Sequence, residues 1–211
     1  MADSMTQGTA AVKGTERYTY KEYKSFPEDQ RWELIDGEAW DMSPSPRRTH
    51  QLLLGSLYAQ LMFFFSGKPC RPHIAPVDVF LPNEIPETST SQKPSDPSIQ
   101  LESTTTIVQP DAFVVCDPTK LSDLGVTGAP DFIVEILSPT TALKDQTEKR
   151  ILYETHGVKE YWVVNPITYE VFIYTLKEHG SYGIPVPADL RQPVPVSIFT
   201  GLELKVRPED L

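Results

Sequence analysis

The chain predicts a mixed α/β (α+β) fold in which short strands and β-hairpins alternate with a few helices. Three observations carry that expectation. Two short apolar runs, Ile107 to Cys116 and Pro130 to Pro139, are rich in β-branched residues and bounded by turn formers, as strands are. Asp36-Gly37 sits between two alternating runs and supplies the positive φ angles of a tight hairpin. The apolar stretch from Leu52 to Phe65 is too long for a typical strand and reads as a buried helix.

A length of 211 residues suits one domain, expected over residues 18–211, after a small, polar and aperiodic segment, 1–17, expected to be a disordered tail. The hydrophobic fraction of 39% is a globular value, and 20 prolines favour turns and strand ends over long helices. A formal net charge of -10 opposes non-specific coating of nucleic acid, since phosphate binding needs a local excess of Lys and Arg. Any nucleic-acid contact must therefore lean on a bound divalent metal, a groove made by a dimer, or clusters such as Arg47-Arg48. Cys70 and Cys116 show no C-x-x-C pairing, so reduced cytoplasmic thiols are expected rather than a disulfide framework or a zinc ribbon. The N-terminus lacks the charged and apolar regions of a secretory signal, and Leu52 to Phe65 is too short to span a bilayer. A soluble, cytoplasmic protein without a membrane partner is expected.

Taken in order, Thr19 to Phe26 has the spacing of a short helix. Trp32 to Ile35 and Glu38 to Met42 should pair across Asp36-Gly37, which sets Glu33 and Ile35 on one face. Pro44 and Pro46 break this hairpin from the next element. His50 opens the apolar helix, where it could touch a ligand or a carboxylate, although a lone histidine is more often capping or packing. That helix is apolar on nearly every side and is expected to be sandwiched. His73 to Leu81 reads as a strand carrying Asp78. Residues 83–106 are rich in Ser, Thr and Pro and poor in apolar side chains, the composition of a flexible insertion.

Two strands follow, each with one carboxylate that has no obvious place in a strand. If residues 111–116 return antiparallel against 131–136, Asp111 falls opposite Ile136 and beside Glu135, within a residue or two of register. Like charges this close are unfavourable unless a cation or a proton lies between them. A divalent metal bridging to phosphate is one solution, and oxygen ligands suit Mg²⁺. The plainer alternative is one carboxylate turned to solvent or paired with a base.

Thr140 or Thr141 can cap the next helix, which should run to about His156 and stop at Gly157. At about 100° per residue, Lys149 falls between Leu152 and Tyr153 on the wheel and faces the sheet, while Lys144 lies to the side and Arg150 is turned away. The ordinary alternative is a lysine stem covering the edge of the core. Val158 to Pro166 reads as a buried strand, turned by Asn165-Pro166 into a second arm at Tyr169 to Leu176; short strands are expected at Val194 to Phe199 and Leu202 to Val206. Phosphate-cradling glycine loops, a serine nucleophile elbow and a zinc-helix motif are all absent from the sequence.

The blocks W-E-L-I-D-G-E, P-V-D-V, V-Q-P-D, A-P-D-F-I-V-E-I-L-S-P, E-K-R-x-L-Y and G-V-K-E-Y-W-V-V-N-P follow one another over about residues 18–178. Their order and spacing resemble the Uma-type restriction endonuclease family, whose fold is similar to that of the PD-(D/E)XK nucleases. The resemblance implies a restriction-endonuclease-like core, with a mixed central sheet flanked by helices. It places Asp111 and Glu135 in the positions of the two metal-binding acids, holding Mg²⁺ with Mn²⁺ as a substitute. The lysine of that motif, two residues beyond the second acid, is replaced by Leu137, and Lys149 on the following helix is its expected substitute. Glu33, His50 and Asp78 are accessory candidates. Asn165 stands where the family commonly has Asp, at a turn, and is taken as structural.

The resemblance thus implies a Mg²⁺-dependent endonuclease that cuts DNA with metal-activated water and works as a homodimer. An idle nuclease fold kept for DNA binding or protein interaction is the alternative. A sugar hydrolase using two neighbouring carboxylates is a third reading, opposed by Lys149 facing them.

Overall fold

The computed structural model describes residues 16–27, 29–42, 46–82, 101–138 and 147–210. They fall into two compact units, one drawn from Met1–Ser45 and Leu81–Val108, the other from Pro46–Phe80 and Gln109–Leu211.

In the first unit, β1 (Trp32–Ile35) and β2 (Glu38–Asp41) form the expected antiparallel hairpin, with Ile35 opposite Glu38. Asp36 and Gly37 both take positive φ, 51° and 80°, which is what a two-residue turn matching the strand twist requires. A short helix, α1 (Tyr20–Tyr23), precedes the hairpin. Glu22 Oε2 accepts from the backbone N–H of Thr19 at 2.8 Å, so the side chain satisfies a donor the helix start leaves open. β5 (Ile107–Val108) pairs antiparallel with β1 through Leu34 and Ile107.

The expected insertion at 83–106 needs correction at its end. Thr104 and Thr106 are buried, and the carbonyls of Thr104, Thr105 and Thr106 accept from Tyr20, Gly37 and Leu81 at 2.8, 2.7 and 3.0 Å. Threonine is polar by composition, yet its β-branched stem fits a pleated, half-buried surface, and backbone pairing satisfies the rest. Residues 83–100, like 1–15 of the expected tail, lie outside the described residues.

The second unit is built on a six-stranded mixed sheet. Its strands are β3 (Arg71–Ile74), β6 (Ala112–Val115), β9 (Phe132–Ile136), β10 (Glu160–Val164), β11 (Glu170–Thr175) and β12 (Val186–Asp189). Read across, they run β12-β11-β10-β9-β6-β3, and β9-β10 is the one parallel pair in that sheet. Strands β6, β9 and β10 are buried along their whole length. Alternation divides them between two faces: Ala112, Val114, Phe132, Val134, Ile136, Trp162 and Val164 enter the main apolar core, while Glu135 and Tyr161 belong to the opposite face.

The long helix α2 (Arg48–Phe65) covers that core with Leu53, Leu54, Leu57, Leu61 and Phe65, a spacing of three and four that stacks them on one stripe. Burying each leucine is worth roughly 1.5–3 kcal/mol. The sandwiched helix expected from composition is not found: Met62 and Phe63 are exposed, Phe63 by 87%. One stripe suffices for the core, so the remaining apolar residues are left at the surface. Gly67, at φ +73°, follows the helix end.

The expected strand from His73 to Leu81 is also divided. β3 stops at Ile74, a cis Ala75-Pro76 peptide follows, and β4 (Val79–Phe80) starts a separate pairing. β4 runs parallel to β8 (Gly125–Thr127), which takes β7 (Leu121–Ser122) antiparallel. Gly125 is required there, because a Cβ at φ +137° would stand 2.3 Å from the Asp78 carbonyl oxygen.

Cys70 and Cys116, expected as reduced thiols, are joined in a disulfide. They are distant in sequence, but pairing of Arg71 with Val115 brings the next residue of each strand face to face. Toward the C-terminus, β13 (Val194–Pro195) and β14 (Glu203–Leu204) form a small hairpin, and Leu190, Val196, Leu202 and Val206 complete the core. Among the described residues no helix is long and apolar enough to cross a membrane.

Candidate active site

The antiparallel pairing of β6 with β9 sets Ala112 opposite Val134 and Phe113 opposite Ile133. Continued by one residue, this register puts Asp111 opposite Glu135 itself, one step from the sequence expectation. The side chains interlock. Asp111 Oδ2 accepts from the backbone N–H of Ile136 at 2.8 Å, and the N–H of Asp111 lies 3.4 Å from Glu135 Oε2, long for a hydrogen bond.

Helix α3 (Glu148–Thr155) supplies the cation. Lys149 is buried, and its Nζ donates to Glu135 Oε1 at 2.8 Å. Position i+4 on the same helix face is Tyr153, whose hydroxyl donates to the same oxygen at 2.9 Å. The helix stops where expected: His156 caps it and Gly157 takes φ +80°. The proposed caps Thr140 and Thr141, and Lys144, lie outside the described residues. Arg150 is only 3.9 Å from Glu154 on its own helix, consistent with its turning away from the sheet.

From the other side, α2 brings His50, which is buried and holds its Nε2 3.1 Å from Asp111 Oδ2. Hydrogen bonds therefore link His50, Asp111, Glu135, Lys149 and Tyr153 into one cluster. The other two accessory candidates sit elsewhere. Glu33 is fully buried on β1 in the first unit. Asp78 accepts from Gln109 Nε2 at 2.8 Å and lines a cavity of about 420 Å³ with His73, Gln109 and Asp123. Asn165 acts as a turn residue, its Oδ1 accepting from the N–H of Ile167 at 2.9 Å.

The donor set suits a hard cation. Mg²⁺ is held by one or two carboxylates and keeps several waters. Asp111 and Glu135 offer two carboxylates from adjacent strands, and Asp111 Oδ1 has no hydrogen bond among the described residues. No group of three or more His, Cys, Asp or Glu side chains is placed to hold a metal among the described residues. Among the described residues the two carboxylates thus have the composition of a site for a water-rich divalent ion rather than of a closed zinc-type cage.

A family model described as "Uma2: Putative restriction endonuclease" matches residues 18–207. The chain belongs to the Uma2 family. A crystal structure of a "putative nuclease belonging to DUF820" from Anabaena variabilis is similar to this Uma2 member with a TM-score of 0.65 and 19% identity, covering 89% of this chain and 94% of that one. At that identity the likeness establishes the shared fold. "Uncharacterized protein slr1290" of Synechocystis is 30% identical over 89 residues, a match that spans 42% of this Uma2 chain and 47% of the relative's length.

Sequence reasoning picked out Asp111, Glu135, Lys149 and His50, and missed Tyr153. A signal was present: Tyr153 neighbours Lys149 on the helical wheel. Its hydroxyl contact depends on where α3 docks, which periodicity does not specify.

Proposed function

We propose that this Uma2 protein is a divalent-metal-dependent endonuclease that hydrolyses DNA phosphodiesters. The observation that carries this reading is the buried meeting of Glu135 with Lys149 beside Asp111. Asp111 and Glu135 would hold Mg²⁺ or Mn²⁺. The ion, when bound, supplies Lewis-acid stabilisation of the phosphate and acidifies water. His50 and the Ile136 N–H fix Asp111 Oδ2, so Asp111 would offer the cation its Oδ1. Lys149 carries a positive charge on a flexible stem at the edge of the same cluster, where it can orient the attacking water or counter charge building on the phosphate. The acidic composition is compatible with this reading, because a bound cation would supply the positive charge that a lysine-rich groove otherwise gives. Since the described residues of one chain hold one such cluster, cutting both strands of a duplex calls for a homodimer.

The experiment is nicking of supercoiled plasmid at low salt with Mg²⁺ or Mn²⁺, comparing wild type with Asp111→Ala and Glu135→Ala. Metal-dependent nicking by the wild type alone supports the reading. A second reading has one observation in its favour: the Lys149–Glu135 pair is mutually neutralising, as in a structural ion pair. An idle DNA-binding module would not cut with either metal, and its binding would survive both substitutions.

A further inference from the structure

Glu135 Oε1 receives two buried donors, Lys149 Nζ at 2.8 Å and the Tyr153 hydroxyl at 2.9 Å, while Oε2 is turned toward Asp111. A carboxylate oxygen has two lone pairs, so this oxygen is fully engaged and the group is held against rotation. Both donors are buried, but they differ in rotational freedom. Lys149 reaches Glu135 on a flexible four-carbon stem. The Tyr153 ring is fixed by packing edge-on against Tyr161, centroids 5.0 Å apart, with Tyr161 stacked on Tyr174 at 5.8 Å.

We infer that Tyr153 is a positioning residue that keeps Glu135 Oε1 occupied, so that Oε2 is the oxygen presented to the cation even when Lys149 swings away to its water or phosphate. Without the hydroxyl, Lys149 must choose between holding Glu135 and acting on substrate. The inference rests on the nuclease reading of the site and adds to it which oxygen binds and why the lysine is free to move.

The test uses the full chain and three variants, Tyr153→Phe, Tyr182→Phe and Glu135→Ala. Tyr182→Phe is the control for losing a buried tyrosine hydroxyl: Tyr182 donates to the Val158 carbonyl at 2.8 Å, and burial together with the Glu154 carboxylate pushes its phenol well above the usual range, so it remains a donor. Mn²⁺ binding is read by calorimetry, plasmid nicking against metal concentration, and folding by thermal melt. Tyr153→Phe should melt like Tyr182→Phe yet bind Mn²⁺ about 10-fold more weakly and nick more slowly at saturating metal, as loss of a ligand-orienting partner does. Tyr182→Phe should bind and nick like the wild type. If Tyr153→Phe binds and nicks like Tyr182→Phe, the hydroxyl is structural and the inference is overturned. If the wild type and Glu135→Ala are indistinguishable in metal binding, the nuclease reading itself fails and takes this inference with it.

Discussion

Lys149 and Glu135 form an ion pair across 14 residues of sequence, Nζ to Oε1 2.8 Å, with side chains only 1% and 4% exposed. Helix α3 and strand β9 are fastened to each other there. Desolvation makes such a pair a poor source of net stability, but removing one partner strands a buried charge.

Lys149→Ala should therefore destabilise the protein by about 3–5 kcal/mol and abolish nicking. The double variant Lys149→Met/Glu135→Leu should recover most of that stability while remaining inactive. Urea denaturation of the three proteins decides this; a single variant as stable as the double would contradict it.

His50 meets Asp111 Oδ2 at 3.1 Å. His50→Ala should lower metal affinity or nicking by about 10- to 100-fold, as expected of a group that orients a ligand. Nicking titrated with Mn²⁺ would show it as a higher metal requirement.

The disulfide closes a loop of sequence separation 46. Reduction, or Cys70→Ser, should cost about 2–4 kcal/mol, mostly by freeing the unfolded chain. Cys116→Ser and the double variant should lose the same amount, because one bond is broken in each case. Denaturation curves with and without reductant measure it.

His73 stacks on Phe113 at 5.0 Å, its Nε2 is buried with no hydrogen-bond partner among the described residues, and burial holds its imidazole below the ordinary value of 6.5. With the folded value depressed, the stability tied to neutral His73 is present above pH 6.5 and is lost as pH falls from there toward the folded value. Thermal melts from pH 7.5 to 5 should show the wild type falling more steeply than His73→Phe, whose ring keeps the stack.

Much of the fold could be read from the sequence, because its signals are local. Asp36-Gly37 specified its turn, and the apolar run from Leu52 to Phe65 specified α2. Lys149 faces the sheet as the wheel requires. Even the meeting of Asp111 with Glu135 followed from two strands and a short return, with an error of one residue in register. The misreadings other than the sandwiching of α2 have a common origin in non-local pairing. Thr104 and Thr106 look like loop residues until the carbonyls of their segment find Tyr20, Gly37 and Leu81. His73 to Leu81 looks continuous until β3 and β4 take different partners.

The sequence by itself determined most of the turns, strands and helices, and that Asp111, Glu135 and Lys149 face one another, since periodicity and turn chemistry act over a few residues. The tertiary structure decided the rest. Pairing of β3 with β6 made a disulfide of two distant cysteines, and docking of α3 on the sheet gave Glu135 Oε1 its second donor in Tyr153. Those outcomes depend on ångström-scale placement of elements remote in the chain, which local preferences do not encode.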